Sequence, residues 1–175
     1  MTFRACVLAL TGALLGTGFA PGWAQESTNR VAANTDWSVF VDGDPKECWA
    51  VSAPKQTVNT RNGSVVAVRR GDILLFVSYR PATGARGEVS FTGGYPFAED
   101  GPVSLDIGGT KFDLFVQGEW AYARPEDDGK IVSAMKAGAE AVLVGRSARG
   151  TLTTDTFSLL GFTAAVEDAE RRCAG

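Results

Sequence analysis

The sequence predicts a mostly β fold: a single antiparallel domain of sandwich or barrel type with two short helices, one of them C-terminal. Three observations carry that reading. Twenty-one glycines and seven prolines punctuate the chain, as frequent turns require. Between them lie short apolar or alternating stretches of strand length. Two segments switch to helical spacing, and the second closes the chain. With 175 residues and 45% apolar content the chain can bury one proper core, and a second domain would be cramped.

Taken in order, residues 1–24 read as a cleaved export signal rather than part of the fold. Arg4 gives a positive start, residues 5–19 are apolar, and Gly22-Trp23-Ala24 offers small residues at both cleavage-determining positions. Pro21 disfavours a cut after Ala20. The apolar run is interrupted by Thr11, Gly12, Gly16, Thr17 and Gly18, and it is shorter than the ~20 residues a membrane span needs. The expected mature domain is therefore residues 25–175, placed in the periplasm, at the outer membrane or outside the cell. Losing Arg4 would take the formal charge from −3 to −4. Of three cysteines, Cys6 leaves with the signal. Cys48 and Cys173 remain, and two thiols in an oxidising compartment read most simply as one disulfide.

Residues 25–35 are polar and expected to form a loose arm. Residues 37–41 alternate as a strand, closed by the turn Asp42-Gly43-Asp44-Pro45. A second strand at 48–53 stops at Pro54, and a polar loop runs through Asn59 and Asn62-Gly63. Residues 64–68 and 73–79 are expected to form a hairpin around Arg69-Arg70-Gly71-Asp72. Residues 73–77 are apolar without alternation, which predicts a central strand covered on both faces. A turn at 81–87, a strand at 88–92 and the aromatic-tipped loop Gly93-Gly94-Tyr95-Pro96-Phe97 follow.

Residues 103–107 and 110–117 are joined by Gly108-Gly109, the clearest two-residue hairpin signal in the chain. Residues 120–123 make a short aromatic strand. Asp128 is expected to cap a helix over 130–137, with Ile131, Ala134 and Met135 inward and Gly138 at its end. Residues 141–146 form a strand that turns at 147–150 into the closing unit. That unit is a Thr- and Phe-rich strand to Ser158, then a helix from Phe162. Phe162, Ala165, Val166, Ala169 and Cys173 share one helical stripe, while Glu167, Asp168, Glu170 and Arg171 take the other side. Ser158 or Gly161 can cap its start, and Arg171-Arg172 suits the dipole at its end.

Charge and composition narrow the function. A pI near 5.0 argues against a nucleic-acid partner, whose phosphates select basic surfaces. Histidine is absent, which removes the usual general base and the commonest metal ligand. Two cysteines without histidine make a poor zinc site. There is no Ser-x-x-Lys, no Gly-x-Ser-x-Gly and no phosphate-cradling glycine loop opening a helix. Neither a cofactor nor a metal is expected, and the chain reads as a binding protein rather than an enzyme.

Four places invite a sharper reading. Asp106, Asp113, Glu119 and Asp155 lie on or beside strands, and a pair of them about 5–10 Å apart would suit an envelope hydrolase acting on carbohydrate or peptide. This is the alternative to binding; polar residues on the wet face of a sheet are the simpler account. Arg149 and Asp155 flank the closing turn, where Asp155 is expected to pair with Arg149 or Arg146. Asp42, Asp44 and the Glu126-Asp127-Asp128 run could ligate calcium, but they lack EF-hand spacing and read as solvated turns. Arg70-Gly71-Asp72 matches an integrin-recognition tripeptide, yet Gly-Asp is ordinary turn chemistry. Among the aromatics, Trp120 is expected in the core. Tyr95 and Phe97 fit either core or an exposed patch, and their loop is the candidate binding site because two glycines free a backbone that carries large contact area.

Several pieces occur together in order: Trp37, Cys48, Tyr79-Arg80-Pro81, Gly94-Tyr95-Pro96-Phe97 and Trp120-Ala121. The closing run Asp155-Thr156-Phe157-Ser158-Leu159-Leu160-Gly161-Phe162 then leads to Cys173. Across the mature chain this resembles the invasion-associated locus B family of exported proteins from Gram-negative bacteria. The resemblance implies a periplasmic or outer-membrane-associated protein, linked in pathogenic members to host-cell invasion and without an established enzymatic activity. Its partner would be an envelope or host protein, or a glycan.

Overall fold

A computed structural model describes residues 29–174, so the expected signal segment and the start at Gln25 lie outside the described residues. The first strands are β1 (Arg30–Asn34), β2 (Trp37–Gly43), β3 (Lys46–Ser52), β4 (Gln56–Arg61) and β5 (Ser64–Val65). Then come β6 (Leu74–Arg80), β7 (Ala85–Thr92), β8 (Val103–Ile107), β9 (Thr110–Gln117) and β10 (Trp120–Tyr122). Helix α1 (Pro125–Ala137), strands β11 (Glu140–Arg146) and β12 (Leu152–Ser158), and helix α2 (Phe162–Cys173) complete the chain.

The described strands form one open antiparallel sheet in the order β1-β2-β3-β6-β7-β10-β9-β8-β11-β12-β4-β5. Strand β9 is where the sheet changes direction. Its first part pairs with β8 and its last three residues pair with β10. The two halves thereby share a core, and Phe91 of β7 meets Phe157 of β12 edge-on at 6.1 Å between ring centres. The mostly β expectation holds, with a continuous sheet open at β1 and β5 where the sequence left sandwich and barrel side by side.

Alternation sets the two faces. Trp37, Ser52, Leu75, Phe91 and Ala121 lie in one row across five strands, and Val39, Ala50, Val77 and Val89 in the next. These side chains are buried. Helix α2 covers much of this inner face. Phe162, Ala165, Val166, Ala169 and Cys173 are its buried stripe, the set that its periodicity predicts. Each larger apolar side chain buried there contributes roughly 1.5–3 kcal/mol. Phe162 packs edge-on against Trp37 at 4.8 Å, and the Trp37 indole donates to the Ser158 carbonyl at 2.9 Å. Cys173 is joined to Cys48 of β3 by a disulfide spanning 125 residues. Gly161 caps the helix with φ +87°, and a Cβ there would stand 1.9 Å from the Asn34 carbonyl oxygen.

Local reading fails where polar sequence hid a strand. The expected arm contains the edge strand β1, and the expected polar loop contains β4, which lies between β12 and β5 and whose Thr57, Val58 and Thr60 suit a strand with a solvated face. The hairpin expected across residues 64–79 does not form. Strand β5 pairs with β4, whereas β6 lies between β3 and β7, so residues 66–73 cross from one half of the sheet to the other. Strand β6 is central, but its burial alternates over its first four residues, with Phe76 only half-buried on the outer face, before Val77, Ser78 and Tyr79 are all buried. Helix α1 begins at Pro125, and Asp128 lies inside it instead of capping it.

Candidate functional site

The crossing segment 66–73 roofs a cavity of about 460 Å³ at one end of the fold. Arg69, Arg70 and Val68 come from the crossing, Arg61 from β4, Gly94, Tyr95 and Pro96 from the aromatic loop, and Arg149 from the turn before β12. Backbone contacts lock these pieces together. Gly71 N–H donates to the Gly94 carbonyl at 2.9 Å, and Ala148 N–H donates to that of Pro96 at 2.9 Å. Gly94 has φ +72°, and a Cβ there would lie 2.6 Å from the Gly71 carbonyl oxygen. Only glycine permits that approach.

Arg70 anchors the roof. Its guanidinium forks onto Asp155 of β12, with Nη1 to Oδ1 at 2.7 Å and Nη2 to Oδ2 at 2.6 Å. Nε donates to the Gly93 carbonyl at 2.8 Å, Nη1 also reaches Asn59 at 3.3 Å, and the group sits 5.0 Å from the centre of the Tyr95 ring. Side-chain exposure is 6% for Arg70 and 0% for Asp155. The sequence expectation for Asp155 is therefore corrected: its partner is Arg70, 85 residues away, and not Arg146 or Arg149. Arg146 pairs with Asp100 instead. The hairpin turn expected at Arg69-Arg70-Gly71-Asp72 is corrected as well, since these residues belong to the crossing segment; the integrin reading set aside above gains nothing, because a buried arginine committed to Asp155 cannot be presented to a receptor.

The loop aromatics point inward. Phe97 is 3% exposed and packs against Phe91 and Tyr95. Tyr95 is half-buried, its hydroxyl sharing a hydrogen bond with Thr153, and burial pushes its phenol above the usual range. Tyr95 thus lines the cavity, while Phe97 supports it from below. Trp120, expected in the core, is 37% exposed on the outer face of the sheet. A strand of three residues places alternate side chains on opposite faces, and here Ala121 takes the inner side.

The other carboxylates are not gathered around one cleft. Asp106 accepts from the Gly109 N–H at 2.8 Å in the hairpin turn. By register Asp106 and Asp113 share the outer face of the second half-sheet, opposite the inner face that carries Asp155. Glu119 lies on the cavity rim. Asp128 accepts from the Val89 N–H at 2.9 Å; burial first, then Glu88, Asp127 and Glu126, push its pKa up to about 6. No group of three or more potential metal ligands occurs among the described residues.

What the cavity presents is positive charge. Arg61 donates to the Thr151 hydroxyl at 2.6 Å and, with Arg69 and Arg149, forms no ion pair among the described residues. Glu119 is the one carboxylate on the lining. Guanidinium forks match carboxylate and phosphate oxygens, and a concave site concentrates their field. In the sequence Arg69 stands out only as a turn residue and Arg149 only as a candidate partner of Asp155, and Arg61 carries no signal; the three lie in separate loops and strands, and nothing but the fold joins them.

The fold and site define a disulfide-tied, antiparallel β domain with a cationic, ligand-sized cavity. The model of the invasion associated locus B protein family matches residues 37–170, and the chain belongs to that family. It is similar in fold to the crystal structure of invasion associated protein B from Bartonella henselae, with a TM-score of 0.52 and 19% identity over 82% of this chain and 95% of that one. No curated protein matches the sequence.

Proposed function

We propose that this is an exported cell-envelope protein that acts by binding, without turnover, and that its cavity takes the anionic group of an envelope or host-surface partner. The observation that carries the reading is the convergence of Arg61, Arg69 and Arg149 on one cavity without carboxylate partners, in a chain whose net charge is −3. An acidic protein gains nothing in solubility from such a cluster, whereas a carboxylate or phosphate ligand gains directional hydrogen bonds from it. Export is supported by the signal-like first 24 residues and by the Cys48–Cys173 bond, which an oxidising compartment favours.

Calorimetric titration with inorganic phosphate and with a galacturonate oligomer tests the site. Saturable binding should weaken with salt and fall at least about tenfold in the Arg69→Ala/Arg149→Ala double variant. Binding that ignores this double change would sink the proposal. Export is checked separately: mass spectrometry of periplasmic material should show loss of residues 1–24, and a full-length chain in the inner membrane would contradict it.

A further inference from the structure

The outer face of the first half-sheet carries a second depression, unconnected with the arginine cavity. It has a volume of about 320 Å³, near the lower end of small-ligand sites. Four rings bound it: Trp49 on β3, Phe76 on β6, and Trp120 and Tyr122 on β10. Phe76 and Trp120 stand 5.6 Å apart across strand β7, and Trp120 stacks near Tyr122 at 6.3 Å. Two further rings hold these in place. Phe40 lies parallel to Trp49 at 5.6 Å with a 5° interplanar angle, and Phe115 supports Tyr122 at 5.8 Å.

Cross-strand aromatic pairs stabilise a sheet, but pairing alone requires no gap between the rings. Here the gap is kept by Ser78 and Ser90, which share this face with the rings by register. Both serines are nearly buried, at 3% and 4% exposure, beneath the ring walls. Neither hydroxyl has a hydrogen-bond partner within the described residues, and no side-chain polar atom among them is sealed from solvent without a partner. Both hydroxyls therefore open onto the depression. At one end Arg80 donates to Glu47 and, at 2.7 Å, to Glu88. That triad holds two carboxylates and one guanidinium, so it is net negative.

We propose that this trough is a binding site for a neutral glycan, with pyranose rings lying against Trp49 and Trp120. The apolar face of a sugar suits an aromatic wall, and its hydroxyls satisfy Ser78, Ser90 and the free lone pairs of Glu47, which line the depression. An apolar protein side chain in the same place would desolvate those polar groups and leave them unpaired, which costs free energy. The negative triad sets the sign of selection. Uronic and sulfated sugars are repelled here, although the arginine cavity attracts anions. Ring positions fixed by Phe40 and Phe115 reduce the ordering cost of binding.

Tryptophan fluorescence of the mature chain, titrated with chitotetraose, cellotetraose and a heparin-derived tetrasaccharide, tests the site. Trp49 and Trp120 should report at least one of the neutral probes, and the acidic one should leave the emission unchanged in the Arg69→Ala/Arg149→Ala background. Trp120→Ala, a substitution at an exposed position, should weaken the neutral sugar at least about tenfold. Ser90→Ala should weaken it severalfold while circular dichroism stays that of the parent. The arginine double variant should bind the neutral sugar as the parent does, which separates this site from the cavity. No response to either neutral probe, or a response that survives Trp120→Ala, overturns the proposal. Concentration-dependent dimerisation abolished by Trp120→Ala would assign the face to a second copy of the chain and overturn it equally.

Discussion

At the scale of residues, the Arg70–Asp155 pair is the strongest single commitment in the fold. Two charges taken out of water are tolerated because every oxygen and most guanidinium N–H groups find partners. Removing one member leaves the other buried and unpaired. Arg70→Ala or Asp155→Ala should therefore cost roughly 3–5 kcal/mol in urea unfolding. Arg70→Lys should recover little, since a lysine cannot form the fork or lie over the Tyr95 ring. The loop aromatics separate in the same way. Phe97→Ala should destabilise by roughly 3–5 kcal/mol, as truncation of a buried aromatic does. Tyr95→Phe keeps the ring and loses only the Thr153 contact, so a small change of about 1 kcal/mol is expected. At Gly161 the left-handed backbone and the Asn34 carbonyl act together: Gly161→Ala should lower stability by more than the ~1–3 kcal/mol of backbone strain alone.

At the scale of elements, helix α1 carries a pH dependence through Asp128. Its pKa is about 6 in the fold against an ordinary 3.8, because burial disfavours the charged form. Between those values the native protein holds a proton that the unfolded chain has released. Its contribution to stability is therefore full below about pH 4 and is lost as pH rises through about 6. Asp128→Asn keeps an oxygen acceptor for the Val89 N–H without the charge. Thermal unfolding should show the variant more stable than the parent above about pH 7, with the difference closing near pH 4. An unchanged difference across that window would mean that Asp128 does not titrate as stated. Strand β10 illustrates a different lesson: three residues, Trp120-Ala121-Tyr122, bury the smallest and display the two largest. That inversion makes the outer face an aromatic surface.

At the scale of the molecule, the disulfide and the crossing segment tie parts of the chain far apart in sequence to one core. The Cys48–Cys173 bond closes a loop of 125 residues, tying the last turn of α2 to a strand near the start. Replacing both cysteines with alanine should cost roughly 2–5 kcal/mol. Comparing thermal unfolding with and without reductant measures it, and reductant should leave the double variant unaffected. Equal stability of parent and variant would count against the bond as a structural tie. Because α2 covers β2 and β3, its loss should expose Trp37 and shift the tryptophan emission to longer wavelength.

The sequence by itself determined what depends on neighbours in the chain. The buried stripe of α2 was legible because helical spacing is local, the β8–β9 hairpin because Gly108-Gly109 turns tightly, and the cysteine pair because two thiols remain once Cys6 is assigned to the expected export signal. Even the family was legible, since its marks are short local motifs in a fixed order, the densest of them in the closing run. What only the tertiary structure decided depends on which strands become neighbours. Strands β1 and β4 were hidden because strands with wet faces lack an apolar signature. The partner of Asp155, the cationic cavity and the exposed aromatic face all follow from pairings far apart in sequence. Because strand side chains alternate, a shift of one residue in register would exchange the inner and outer sets. Trp120 and Phe97 are equally apolar in sequence; the register of β10 against β7 sends one outward, and the bend of loop 93–97 sends the other into the core.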